Sequence, residues 1–254
     1  MKEKVFCGRY AGHPVRFSFR RLTTHYYFGD FLEEIPEAGY DVRVSPEFYA
    51  YAKEMLPPDS RPGYIEYRAC IGLTAGHLLR WDCCIFHAVS FVWKGQAWLL
   101  TGPSGIGKTT QFKNWQRLYP DEIQIISGDM PVLEKRDGAV FVHPSSWNGK
   151  ENYRGSLSAK LGGIVILEQG SENRIRKSDF TSDVTTIFDQ MLVRPETEEE
   201  IKALSGLIEA MFSAPVLRFV NLGNDQSTVM LRRELEAVLE NKPETDNESH
   251  KLFL

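Results

Sequence analysis

The sequence predicts an α/β fold, a mixed-sheet core preceded by an N-terminal α+β extension, and three observations carry that prediction. An apolar run at Trp98, Leu99 and Leu100 enters the turn Gly102-Pro103-Ser104-Gly105-Ile106-Gly107, after which Phe112, Trp115 and Leu118 recur at helical spacing. Hairpin signals stand next to one another instead of alternating strictly with helices, which argues for antiparallel pieces inside the core. Pro57, Pro58, Pro62 and Gly63 form the strongest punctuation of the first half and set the extension apart.

Taken in order, residues 5–10 and 15–19 read as a hairpin, and His25, Tyr26, Tyr27, Phe28 and Phe31 as an aromatic packing cluster. A strand follows at 40–44, then a short helix at 46–55 capped by Ser45. Residues 64–81 carry Ile65, Ala69, Leu73, Ala75, Leu78 and Leu79 broadly at helical spacing and read as a largely buried helix. Residues 83–92 and 96–101 flank Trp93-Lys94-Gly95 as one hairpin, whose second strand delivers the chain to the glycine-rich turn. Beyond the helix at 108–118, a strand at 123–127 ends at Gly128-Asp129, and Arg136-Asp137-Gly138 turns a second hairpin. The remaining expectations are a polar loop at 144–154, strands at 161–169 and 216–221, a basic strand or turn at 174–177, and helices at 180–192, 198–213 and 227–240. Thr197 and Glu200 have the spacing of a capping box for the second of these helices. The expected organisation is an extension at 1–80 with a role in acceptor binding, a core at 81–241 and a disordered polar tail at 242–254.

The chemistry concentrates at Gly102, Gly107, Lys108 and Thr109, which fit the phosphate-loop pattern G-x-x-x-x-G-K-[ST]. A loop wrapped round a polyphosphate needs inward-turned N–H groups and backbone conformations that a β-carbon forbids. The nucleotide-binding set is therefore Gly102, Ser104, Gly105, Ile106, Gly107, Lys108, Thr109 and Thr110, with Lys108 on the outer phosphates and the following helix aiming its positive end at the anion. The Thr109 hydroxyl and the Asp129 carboxylate, just past the next strand, are the candidate Mg²⁺ ligands. Asp129 is equally placed to accept a proton from an attacking hydroxyl, and His87 is expected near the loop in space, as a phosphate or Asp129 partner or as a packed core histidine. Lys150 and Arg154 are cations that could meet phosphate charge or simply face water. His143 reads as an ordinary residue.

Bulk properties narrow the partners. A net charge of −4 gives no electrostatic case for nucleic acid or an anionic membrane. No apolar run approaches the roughly 18 residues that span a bilayer, and the start of the sequence lacks a secretory core, so the expectation is cytoplasmic. Cys7, Cys70, Cys83 and Cys84 have no metal-site spacing and read as buried free thiols.

The stretch from Phe86-His87 through Thr110, followed by Ile126-Ser127-Gly128-Asp129, resembles the catalytic domain of the HPr kinase/phosphorylase family, whose phosphate loop also reads G-x-S-G-x-G-K. The resemblance implies a P-loop kinase core of the type shared with phosphoenolpyruvate carboxykinases. His87 stands where that family places a histidine before the loop, and Asp129 where it places the base that takes the substrate hydroxyl proton. Met130 replaces the family's second aspartate, and Ser158 falls at the acid of its later E-x-R-G-L-G-I signature, echoed here by residues 158–164. Smaller relatives modify peptide precursors, so the resemblance implies ATP and Mg²⁺ as cofactors and a serine or threonine of a peptide or small protein as acceptor. A homo-oligomer stays open. The other readings of the motif are a nucleotide-sensing module without efficient catalysis and a simple NTP hydrolase.

Overall fold

The computed structural model describes residues 4–21, 23–33, 39–178 and 180–241, so the expected tail at 242–254 lies outside the described residues. The N-terminal part holds β1 (Lys4–Tyr10), β2 (His13–Phe19), α1 (His25–Phe28), β3 (Tyr40–Arg43), α2 (Pro46–Glu54) and α3 (Pro62–Leu78). Next come β4 (Cys83–Phe86), β5 (Ala88–Trp93), β6 (Gln96–Thr101), α4 (Lys108–Leu118), β7 (Ile123–Ser127), β8 (Val132–Arg136) and β9 (Ala139–His143). The chain then adds β10 (Ala159–Glu168), β11 (Arg174–Lys177), α5 (Phe180–Phe188), β12 (Met191–Leu192), α6 (Glu198–Phe212), β13 (Val216–Val220) and α7 (Asp225–Glu240). The fold is α/β with mixed sheets.

β1, β2 and β3 form a small sheet, antiparallel then parallel. The large sheet is built round β10, whose first two residues pair with β9 while Leu161–Ile166 run parallel to β6 and Ile164–Glu168 parallel to β13. β10 thus joins a layer of β12, β4, β8 and β9 to a layer of β7, β5, β6, β13 and β11. Gly162 and Gly163 make the join possible, because a β-carbon on Gly163 would stand 2.8 Å from the Trp98 ring and 2.9 Å from the Pro215 carbonyl. β5 is antiparallel to both β6 and β7, so β6, β7, β10 and β13 point the same way. Their carboxyl ends gather at one edge, where parallel α/β sheets bind ligands.

Several elements differ from expectation. The apolar run at 83–92 is two strands, because Cys83–Ile85 pair with β8 and Ile85 and Phe86 with Met191–Leu192 in one layer, whereas Ala88–Trp93 pair with β6 and β7 in the other. His87 is the corner between them. The helix expected at 180–192 stops at Phe188, and Met191 and Leu192 add to the edge of β4, drawn there by the apolar core in which Met191 is buried. α3 begins at Pro62, since proline at the first helical position loses no hydrogen bond. At α6, Thr197 accepts from the Glu200 N–H at 3.2 Å, but the Glu200 carboxylate turns to the Glu196 N–H and to Arg80 instead of closing the box. Ser45 caps α2 through the Phe48 N–H, as its position predicts.

Apolar packing crosses the expected boundary at residue 80. One core contains Tyr10, Phe17, Phe28, Ile65 and Leu78 together with Cys83, Ile85, Val132 and Trp147. Of the aromatic residues at 25–31, Phe28 is buried among Phe17, Phe19 and Tyr67, Tyr27 and Phe31 pack against the same core, and Tyr26 is 73% exposed. All four cysteines are free and buried, and burial pushes the Cys83 thiol up to about 12. No described helix is long and apolar enough to cross a membrane.

Candidate active site

β6 ends at Thr101, and the chain reverses into α4 through a bend in which Gly102, Gly105 and Gly107 have φ of +132°, +80° and +108°. Gly107 is the helix N-cap, and no side chain caps the first turn of α4, so its N–H groups face outward as an anion-binding end. Gly102 is held for a second reason, since a β-carbon there would stand 3.1 Å from the Leu167 carbonyl. Lys108 is 7% exposed and folds into the bend, where Nζ donates to the carbonyls of Gly102 at 2.8 Å and Pro103 at 3.2 Å. Burial lowers its pKa from the ordinary lysine value, and the Asp129 charge opposes that shift.

Register brings the other residues to the bend. Ala88 pairs with Thr101 and Ser90 with Ser127, so the start of β5 touches the ends of β6 and β7. The Ala88 N–H donates to the Asp129 carbonyl at 2.8 Å, and the Thr101 hydroxyl to the His87 carbonyl at 2.8 Å. These bonds set His87 Nε2 3.4 Å from Asp129 Oδ1, while Nδ1 lies 3.0 Å from Gln190 Oε1. The Gln190 carbonyl also accepts from the His87 N–H.

The loop at 144–154 straps down across the end of β7. Its Tyr153 carbonyl accepts from Gly128, its Trp147 carbonyl from Met130, and the Ile126 carbonyl accepts from Gly155. Gly149 comes so close that a β-carbon on it would stand 3.1 Å from Asp129 Cβ. Lys113 of α4 pairs with Glu151 of the strap at 3.5 Å. From the other side α3 meets the strap, with the Tyr67 hydroxyl donating to the Ser146 carbonyl at 3.0 Å. Tyr10 adds a ring stacked on Trp147 and a hydroxyl 3.0 Å from Ser146 Oγ.

Loop, strap and α3 enclose a cleft of about 840 Å³. Of the predicted residues, Ser104, Gly105, Gly107, Lys108, Thr109, Thr110, Asp129 and His87 line it together. Gly102 and Ile106 do not; Gly102 shapes the bend beneath, and Ile106 packs on the core below α4. The two strap cations separate. Lys150 lines the cleft, whereas Arg154 turns away to Asp30 and donates to the Phe28 carbonyl at 2.9 Å. His143 sits elsewhere, between Ser158 and Glu134.

No family model matches this chain, and no curated protein matches it. Among solved structures it is similar to the Hpr(Ser) kinase/phosphatase from Coxiella burnetii. That likeness covers 61% of this chain and 98% of the other, with 13% identity and a TM-score of 0.38.

The sequence analysis missed the α3 wall, where Tyr64, Tyr67, Arg68 and Ile71 line the cleft at i, i+3, i+4 and i+7. The available signal was an arginine on a helix that otherwise reads as core. It also missed Gln190, which its sequence neighbourhood does not distinguish.

Proposed function

We propose that the chain is an ATP-dependent kinase that transfers the γ-phosphoryl group to a serine or threonine hydroxyl of a peptide or small protein. One observation carries this reading: a phosphate-loop bend and an aspartate–histidine pair line the same cleft. The fold type it implies is the P-loop core of the HPr kinase and phosphoenolpyruvate carboxykinase kind, and the four free buried thiols agree with a cytoplasmic setting.

The donor set suits ATP with Mg²⁺. Gly105 has open space where a β-carbon would stand, so a phosphate oxygen can reach its backbone. Lys108 spends its ammonium on two carbonyls of the bend, a placement from which it can swing to phosphate oxygens. Among the described residues no three His, Cys, Asp or Glu side chains cluster as a protein metal cage. That is the expectation for Mg²⁺, which takes one or two protein oxygens and completes its shell from phosphate and water. Thr109 and Asp129 would hold it, and when bound it supplies charge neutralisation on the phosphate oxygens.

The chain's own residues do the rest. The bend N–H groups and the α4 N-terminus stabilise negative charge on the phosphoryl group as it leaves. Asp129 orients the acceptor hydroxyl and takes its proton as the oxygen–phosphorus bond forms. His87 Nε2 faces Asp129 while Nδ1 faces the Gln190 oxygen, so the ring is placed to share the proton that Asp129 accepts.

The test is transfer of labelled γ-phosphate from ATP to serine and threonine peptides by the intact protein and by Asp129→Asn. A kinase labels the peptides and loses labelling in the variant while still binding nucleotide. Nucleotide binding with no transfer supports a sensor instead, and phosphate release that needs no acceptor supports a hydrolase.

A further inference from the structure

We propose that Arg68 recognises a carboxylate of the acceptor, so that the acceptor is a peptide with an acidic side chain close to its hydroxyl residue. The proposal deepens the kinase reading and rests on it for the word acceptor.

The argument begins with the helix. α3 is apolar on most of its surface, and a guanidinium half-buried on such a helix costs desolvation free energy unless an anion meets it. Among the described residues Arg68 has no carboxylate within salt-bridge distance, and its Nη1 donates a long hydrogen bond, 3.5 Å, to the Tyr64 hydroxyl. The cations around it are matched. Lys108 meets two carbonyls, Lys113 meets Glu151, and Arg154 meets Asp30 and the Phe28 carbonyl. Among the described residues Lys108, Arg68 and the exposed Lys150 are the cleft-lining cations with no carboxylate in salt-bridge distance, and of these Lys108 has its two carbonyls. The cleft carries Asp129 as counter-charge, and the kinase reading commits that residue to Mg²⁺ and to the acceptor proton.

Position separates the two anions that Arg68 could bind. The nucleotide phosphates have their own donors in the bend, in Lys108 and at the α4 N-terminus. Arg68 belongs instead to α3, next to Tyr64 and Tyr67, which line the cleft beside it. Arg68 and Asp129 line the same cleft. An acceptor lying on α3 puts its hydroxyl towards Asp129 and a neighbouring carboxylate on the Arg68 fork, which takes both oxygens at once.

The experiment measures binding, not turnover. A fluorescein-labelled short serine peptide with aspartates flanking the serine, and its twin with asparagines, are titrated with the full chain by anisotropy in Mg-ADP. The same titrations are run with Arg68→Ala, Arg68→Lys and Lys150→Ala, and Mg-ADP affinity is measured separately by calorimetry. The unaltered protein is expected to prefer the aspartate peptide by about tenfold, as one charge-assisted bidentate contact provides. Arg68→Ala abolishes the preference and leaves Mg-ADP affinity intact, and Arg68→Lys keeps a fraction of it. Lys150→Ala, at an exposed position that does not threaten the fold, reduces it. Equal binding of the two peptides, or no binding of either, overturns the proposal. So does a loss of Mg-ADP affinity in Arg68→Ala with the preference retained, which assigns the guanidinium to a nucleotide phosphate. A protein that shows the preference and binds ADP but transfers no phosphate sinks the kinase reading and leaves the acidic-ligand site standing.

Discussion

His87 Nε2 lies 3.4 Å from Asp129 Oδ1, while its Nδ1 is 3.0 Å from the Gln190 side-chain oxygen. Three residues far apart in sequence therefore form one chain of contacts ending on the cleft. If that chain shares the acceptor proton, His87→Ala is expected to lower turnover by about a hundredfold, the scale of a positioned acid–base group, with nucleotide affinity changed little. Gln190→Leu removes the acceptor facing Nδ1 and loosens the ring, so turnover falls by less than in His87→Ala. Stopped-assay rates of both variants check this, and unchanged turnover in Gln190→Leu removes Gln190 from the mechanism.

The bend was legible in the sequence because three glycines and a lysine at fixed spacing have few other physical reasons to occur together. Asp129 was legible because it follows a strand by a short turn. The corner at His87 was not, since residues 83–92 are mostly apolar on both sides of His87 and only the choice of partner strands divides them. Met191 and Leu192 read as the end of a helix for a similar reason, their strand existing only through its pairing with β4. Arg154 and Lys150 looked equivalent, and what separates them is the Phe28 carbonyl that Arg154 meets, which lies more than a hundred positions away.

Arg154 fixes the strap through more than charge. It donates to the Phe28 carbonyl at 2.9 Å, and the Asn148 side-chain oxygen accepts from its Nε at 2.8 Å and Nη2 at 2.9 Å once that amide is oriented to satisfy both its ends. The pairing with Asp30 contributes little, because that carboxylate is 93% exposed. Arg154→Ala is expected to cost about 1–3 kcal/mol, the range for leaving partly buried polar partners unmet. Arg154→Lys recovers little of this, since an ammonium cannot span three acceptors, and Asp30→Asn is nearly neutral. Urea midpoints of the three variants decide, and a large effect of Asp30→Asn contradicts the ranking.

Acid sensitivity follows from two histidines. Burial is the main cause that holds both His77 and His143 below the ordinary value of 6.5, in spite of Glu200 near the first and Glu134 bonded to the second. A histidine with a depressed pKa binds fewer protons folded than unfolded between that pKa and 6.5, so stability falls as pH drops through this window and levels off beneath it. The thermal midpoint is expected to decline from neutral pH to about pH 5 and to decline less steeply in His143→Gln. An equal slope in the variant assigns the sensitivity to other groups.

Gly102 and Gly105 separate two ways in which a glycine serves this bend. Both have positive φ, so alanine at either is strained by about 1 kcal/mol or more. At Gly102 the added methyl also meets the Leu167 carbonyl at 3.1 Å, backbone that belongs to the central strand and cannot withdraw easily. At Gly105 the methyl meets nothing and projects into open space. Gly102→Ala is therefore expected to lower the unfolding midpoint more than Gly105→Ala. Gly105→Ala is expected to keep most of the stability and lose nucleotide affinity, because the methyl occupies the approach of phosphate to the bend. Urea titration beside Mg-ADP calorimetry reads both quantities, and unchanged affinity in Gly105→Ala would mean that phosphate does not sit against that backbone.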